Sequence, residues 1–308
     1  MTRHVRGIGY SLRSSDAFQL EDLARDLDEA EAHRVDFVEL PLYQMRIIAG
    51  GRIIRPELDR LKALCAGRPY GYTIHGPLGI NFLDEPDRLA VHEEVLKLSL
   101  DISASLGASH YILHSGILDA RDKDEMEARY GQQREALARF GEIAKAYGII
   151  ICVENLFTYT HNQIAALPSR LAQEIAAIGH PNIAACLDFS HGFINSTLHG
   201  ADFFAETMAL APHARHLHIH DSFGRPQTLK TYSRAERMAY GLGDLHLPIG
   251  WGAIPWDAIM TGADFPDGVI LNLELPPPFW GELSACIEAL RRMAQQIEGA
   301  RRAAMSAA

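Results

Sequence analysis

Eight short runs rich in Val, Ile and Leu recur along the chain, and between them lie stretches with apolar residues at helical spacing. The runs cover residues 5–12, 35–42, 71–75, 109–114, 149–155, 183–188, 214–221 and 268–275; the clearest helical stretches cover 16–33, 87–106, 122–147 and 168–178. A strand that is always followed by a helix comes back in the same direction, so the alternation predicts a parallel sheet. Eight such units, with no linker and no break in composition, predict one closed (β/α)8 barrel. With 308 residues and 47% hydrophobic content the chain can bury one large core. Gly107 and Gly148 sit just after helical runs, where a C-terminal glycine belongs, and Pro255 opens a short helix at Trp256. Residues 1–299 are therefore read as one domain, and 300–308, which lack an apolar period, as a flexible tail.

Ionisable residues fall at the ends of these runs. His75 closes the third, His114 the fourth, Glu154 the fifth and Asp188 the sixth, with His191 three residues on; His218 lies in the seventh and Glu274 in the eighth. Up to His218 they are spaced by roughly 30 to 40 residues, about one βα unit of a ~250-residue barrel, which puts them around one mouth. Asp244 and His246 precede a Pro/Gly-rich turn ending at Gly252 and read as two more ligands held on a loop. The residues two positions earlier on the strands, Thr73, Ile112, Cys152, Cys186, His216 and Asn272, should point inward one layer deeper. The cysteines among them read as packing residues. Whether Tyr10, Glu39, His220 and Asp221 also line the mouth is left open by the sequence.

Two connections are long. Residues 43–56 carry Arg46, Arg52 and Arg55 around Gly50 and Gly51, and residues 222–252 carry Arg225, Lys230, Arg234 and Arg237 with Tyr232, Tyr240 and Trp251. Long loops after barrel strands serve as lids or substrate-recognition elements. Arg225, Lys230, Arg234, Arg237 and Trp251 are therefore expected to bind an anionic or sugar-like small molecule. The first arginine group is expected on the surface or in a subunit contact, which leaves room for a homo-oligomer.

A formal charge of −10 argues against a generic binder of nucleic acid or anionic membrane, and no apolar run approaches the roughly 18 residues of a membrane span. The four cysteines show no CxxC spacing and residues 1–6 lead into no apolar leader, so a reduced, cytoplasmic protein is expected. A lone strand-end histidine is ordinarily structural. Four carboxylates converging with five imidazoles and no cation, however, would repel one another strongly in a partly buried site, and divalent metals remove that cost. Nine side chains exceed the four or five that commonly serve two ions, so three ions are expected, with Zn, Mn or Fe suiting the histidines better than Mg. Three divalent cations against four carboxylates leave a net charge of about +2, which favours hydrolysis of a phosphoester by metal-activated water.

In order and local motif, His75, His114, Glu154, Asp188, His191, His218, Asp244, His246 and Glu274 match the trinuclear site of endonuclease IV. The Asp188-x-x-His191 and Asp244-x-His246 spacings are the specific parts. The chain thus resembles the xylose-isomerase-like TIM-barrel superfamily, which contains endonuclease IV and many sugar isomerases and epimerases, over nearly its whole length. It departs after His75, where Gly76-Pro77-Leu78-Gly79-Ile80-Asn81 replaces the wedge that penetrates the DNA stack, and in a longer loop between His218 and Asp244. These departures turn the expectation away from abasic-site DNA repair and towards an enclosed small molecule. Sugar epimerases of the superfamily resemble the chain at Glu154, Asp188, His218 and Glu274, where two carboxylates bind a metal and shuttle a proton on and off carbon. The resemblance implies a metal-dependent phosphoesterase or a sugar isomerase or epimerase, with Glu154 and Glu274 as catalytic groups. The phosphoesterase leads, because the epimerase scheme leaves His75, His114, Asp244 and His246 with little to do.

Overall fold

The computed structural model describes residues 4–12 and 20–307. Residues 1–3 of the expected leaderless start, residues 16–19 of the first expected helix, and Ala308 lie outside the described residues. Eight strands close into a parallel barrel: β1 Val5–Ser11, β2 Phe37–Pro41, β3 Gly71–His75, β4 His110–His114, β5 Ile150–Glu154, β6 Ile183–Asp188, β7 Ala214–Ile219 and β8 Val269–Leu273. Each strand pairs with its sequence neighbours, and β8 closes on β1 with Ile8 opposite Leu271. The expected (β/α)8 architecture is the one observed.

Helices α1 Leu20–Ala32, α2 Arg55–Cys65, α3 Leu89–Ser105, α4 Met126–Tyr147, α5 Pro168–Ile178, α6 Phe189–His199 and α7 Phe203–Leu210 flank the barrel, followed by α8 Arg234–Tyr240, α9 Trp256–Gly262 and α10 Leu283–Ala307. On α1 the spacing of Leu20, Leu23, Leu27 and Ala30 buries one face. A leucine buried as fully as Leu23 or Leu27 contributes roughly 1.5–3 kcal/mol. Gly148 ends α4 in the left-handed conformation at φ +69°, where its amide bonds back to Ala144 and Lys145. The last helix runs past residue 299 to Ala307; residues 301–306 are exposed, and Arg301 reaches Asp264.

Strand periodicity divides the barrel interior into layers. Ile112, Cys152, Ala184 and Cys186 form a small apolar cluster inside it, with both thiols pushed up by burial. The cysteines therefore pack, as their period predicts. Glu39, Thr73, His110, His216 and Asn272 are also buried within the barrel strands, and the strand-end residues stand above them.

The long connection after β7 folds back on the barrel. Asp221 and Leu247 exchange backbone hydrogen bonds of 2.8 and 2.9 Å, and Gly243 N donates to Arg225 O at 2.7 Å. These two bridges return the turn containing Asp244 and His246 to the end of β7. In the connection after β2, Ile48–Ala49 and Arg52–Ile53 form a hairpin around Gly50 and Gly51, and Arg46, Arg52 and Arg55 are exposed.

Candidate metal centre

Glu154, at the end of β5, stands in the middle of the predicted set. Its Oε1 lies 3.2 Å from His218 Nδ1 and 3.3 Å from His191 Nδ1; its Oε2 lies 3.4 Å from His75 Nε2 and 3.5 Å from His114 Nε2. Asp188 is the N-cap of α6: Oδ1 accepts from the His191 amide at 2.7 Å, while Oδ2 faces His220 Nε2 at 3.0 Å. The cap fixes the Asp-x-x-His spacing, because the residue three positions into the helix supplies both the capped amide and the second imidazole. Asp244 Oδ2 lies 2.7 Å from His246 Nε2 and 3.4 Å from His191 Nε2. Glu274 Oε2 lies 3.5 Å from His218 Nδ1 and 3.8 Å from both His220 Nε2 and His246 Nδ1. All nine residues singled out in the sequence as ligands meet at the C-terminal mouth of the barrel.

His246 holds a left-handed backbone conformation, φ +46°, which non-glycine residues adopt at a cost. Its ring stacks on His220 at 3.8 Å with an 8° interplanar angle. The strain buys the approach of Asp244 and His246 to strand-borne groups they would otherwise miss.

Burial alone would raise the Glu154 carboxyl, but the imidazoles of His218, His191 and His75 override it and hold the group well below the usual carboxylate range. Burial would likewise raise Asp244; His246 and His191 hold it well down. His114 is pushed down by burial to about 4, against the pull of Glu154. Burial would lower His246 too, but Asp244 lifts it to about 9. The cluster thus alternates anions and imidazoles, a donor chemistry that suits divalent cations.

Two buried atoms sharpen that fit. Glu154 Oε2 and His220 Nδ1 have no hydrogen-bond partner among the described residues, although an orphaned buried polar atom is costly. Glu154 Oε2 also belongs to one of several triads whose donor atoms all lie within 4.8 Å of one another, among them His75–His114–Glu154, His191–Asp244–His246, His75–His218–Glu274 and His220–His246–Glu274. The first two share no residue.

The structure adds groups that the sequence reading left open or passed over. His216, His218 and His220 alternate on β7 and its extension, so the period of two that placed the ligands should also have placed His220, which is fully buried in the cluster. Below it, Glu39 lies 3.2 Å from His218 Nε2 and 3.1 Å from His216 Nε2, and His216 Nδ1 is 3.4 Å from His110 Nδ1. Asp221 lies outside the cluster: its carboxylate accepts from the amides of Ser222, Gly250 and Ile254 and from Trp256 Nε1. Tyr10 packs edge-on against Trp280 and His33.

The five expected substrate residues are dispersed. Arg234 borders a 470 Å³ cavity with Ser11, Tyr43, His246 and Glu274. Arg225 is exposed, donating to Tyr240 O and lying over Phe223; Lys230 is exposed beside Tyr232. Arg237 is half-buried in α8 and does not border that cavity. Trp251 faces a different hollow of 760 Å³ against α10. Tyr43, whose ring meets that of His75 at 5.1 Å, joins the mouth instead.

Barrel and cluster together define a class: a single (β/α)8 barrel that gathers histidines and carboxylates at the C-terminal ends of its strands. Within that class, the chain belongs to the xylose isomerase-like TIM barrel family, whose model matches residues 27–291. No curated protein matches the sequence. Solved structures with the same fold include a D-tagatose 3-epimerase-like protein, with a TM-score of 0.69 at 17% identity over 95% of this chain and 98% of that one. An L-ribulose 3-epimerase has a TM-score of 0.64 at 18% identity, covering 99% and 98% of the two chains. The IOLI protein, solved with a zinc atom bound, has a TM-score of 0.64 at 16% identity, covering 95% and 98%. The family match is to the superfamily as a whole and does not single out endonuclease IV. Among the described residues, no helix is long and apolar enough to cross a membrane.

Proposed function

We propose that the chain is a metal-dependent sugar isomerase or epimerase, which replaces the phosphoesterase favoured by counting ligands in the sequence. The observation that carries the proposal is that Glu154 Oε1 and Glu274 Oε2, from β5 and the end of β8, approach the same His218 Nδ1 at 3.2 and 3.5 Å. Glu274 also borders the mouth cavity. The epimerase names of the structural relatives support the same chemistry.

His75, His114, Glu154, Asp188, His191, His218, Asp244, His246 and Glu274 are the proposed metal-holding residues, with His220 as a tenth. Because two of the triads share no residue, the cluster has donors for at least two ions, and three divalent ions (Zn, Mn or Fe) remain the proposed complement. A divalent cation supplies polarisation of substrate oxygens, which acidifies a carbon-bound hydrogen beside a carbonyl. Glu274 Oε2, on the cavity side, would take that proton, and one proton would go back to carbon from the linked Glu274–His218–Glu154 group, so the sugar changes configuration or carbonyl position without net oxidation. Tyr43 and the Pro276–Pro278 wall limit water at the reacting carbon.

Phosphoester hydrolysis stays as a second reading because the Asp244–His246 pair joins the cluster through His191. One comparison separates the two. Incubated in deuterated water with a ketose or its phosphate, the metal-loaded protein should incorporate carbon-bound deuterium and release no phosphate. Phosphate release without incorporation would reject the isomerase. In either case, Glu274→Gln should lower turnover by about 10²-fold or more.

A further inference from the structure

Arg234 is half-buried at the barrel mouth, with no counter-ion among the described residues. Its Nη2 donates to Leu245 O at 2.6 Å, and its guanidinium carbon lies 5.5 Å from the centre of the Phe279 ring. These contacts hold the head group between the turn bearing Asp244 and the segment after β8. Asp244, whose field reaches Arg234, is already engaged by His246 at 2.7 Å and His191 at 3.4 Å. Among the described residues, no Asp or Glu forms an ion pair with Arg234.

Four other arginines drawn back from solvent do have counter-ions, whereas Arg215 and Arg237, half-buried like Arg234, form no ion pair among the described residues. Arg129 pairs with Glu125 at 3.0 Å, Arg134 and Arg170 pair with Glu174 at 2.6 and 2.7 Å, and Arg68 pairs with Asp28. A guanidinium offers five N–H donors in a planar fork, and the bond to Leu245 uses one of them. A cation withdrawn from water without a partner is costly. Burial and the nearby Arg237 both push the Arg234 guanidinium down, as expected of a charge awaiting an anion. Arg225 and Lys230, exposed to solvent, carry no such cost.

We propose that Arg234 binds an oxyanion of the substrate, a phosphate or a carboxylate, in the 470 Å³ cavity that Glu274 also lines, so the substrate is an anionic sugar. The proposal rests on reading the cluster as the substrate site. It is tested by equilibrium calorimetry on metal-loaded protein with three probes: a neutral ketohexose, a ketohexose phosphate and a hexuronate. One anionic probe should bind wild type about 10- to 100-fold more tightly than the neutral sugar. Which one gains identifies the oxyanion as phosphate or carboxylate. Arg234→Met should erase the preference, weakening the preferred anion at least about 10-fold more than the neutral sugar, and Arg234→Lys should keep part of it. If neither anion outbinds the neutral sugar, or if Arg234→Met weakens all three probes equally, the proposal fails. An Arg234-dependent preference without deuterium exchange would reject the isomerase reading while sustaining the anion site.

Discussion

Glu39 is a charged residue in the middle of Phe37–Pro41, a strand buried along its whole length. It accepts from Ser11 Oγ at 2.8 Å and Thr73 Oγ1 at 3.2 Å, and its Oε1 meets His218 Nε2 at 3.2 Å. With Nε2 turned towards Glu39, His218 presents Nδ1 to Glu154 and Glu274. Carboxylates behind metal-facing histidines set ring orientation and donor strength. Glu39→Gln should therefore weaken metal binding by about 10- to 100-fold while the fold survives, read by competition with a chromophoric chelator; unchanged affinity would show that Glu39 only fills space. Sequence reasoning anchored on strand ends picked out the upper ring of proposed ligands and passed over this residue one layer down. A carboxylate in an otherwise apolar strand was the available signal. The strain at His246 had none, since its left-handed backbone is imposed by the loop bridges rather than by its own residue type.

At the scale of elements, the connection after β7 is organised by Asp221 rather than by its cations. Four donors converge on this one buried carboxylate at 2.8–3.3 Å, and Gly252 leaves the space for it: a Cβ there would come within 2.2 Å of Asp221 Oδ1. Asp221→Ala should cost roughly 3–5 kcal/mol, because it strands buried amides and the Trp256 indole N–H. Chemical denaturation checks the total. Limited proteolysis should show new cleavage between residues 222 and 252, and wild-type resistance there would contradict the clamp. The sequence made the length of this loop and its two proposed ligands legible, but only tertiary pairing revealed which cation faces the cavity. Arg225 and Arg234 look alike in a string of letters; one lies at the surface and the other borders Glu274.

For the whole molecule, alternation of strand and helix made the closed barrel readable, because seven crossovers in one direction admit few other arrangements. The choice of chemistry was less readable. Counting donors favoured hydrolysis, yet the same nine groups also place two carboxylates around one imidazole, and distances rather than residue types distinguish these uses. The groups come from the ends of β3 to β8, from the first turn of α6 and from the loop after β7, so an ion held among them joins segments distant in sequence. Metal at 100 times its Kd should add about 2.7 kcal/mol of stability and raise Tm by roughly 5 °C or more. Thermal unfolding with and without EDTA, alongside metal counting, would test this. Equal Tm values in metal-replete and chelated protein would count against the centre. The dispersal of donors has one more consequence. The earliest proposed ligand is His75 and the latest is Glu274, so during synthesis the site stays incomplete until the eighth strand closes against the first. If the proposed ligands hold the ion, loading reports on barrel completion: a chain truncated before residue 274, however well its earlier strands pair, would lack a full set of donors.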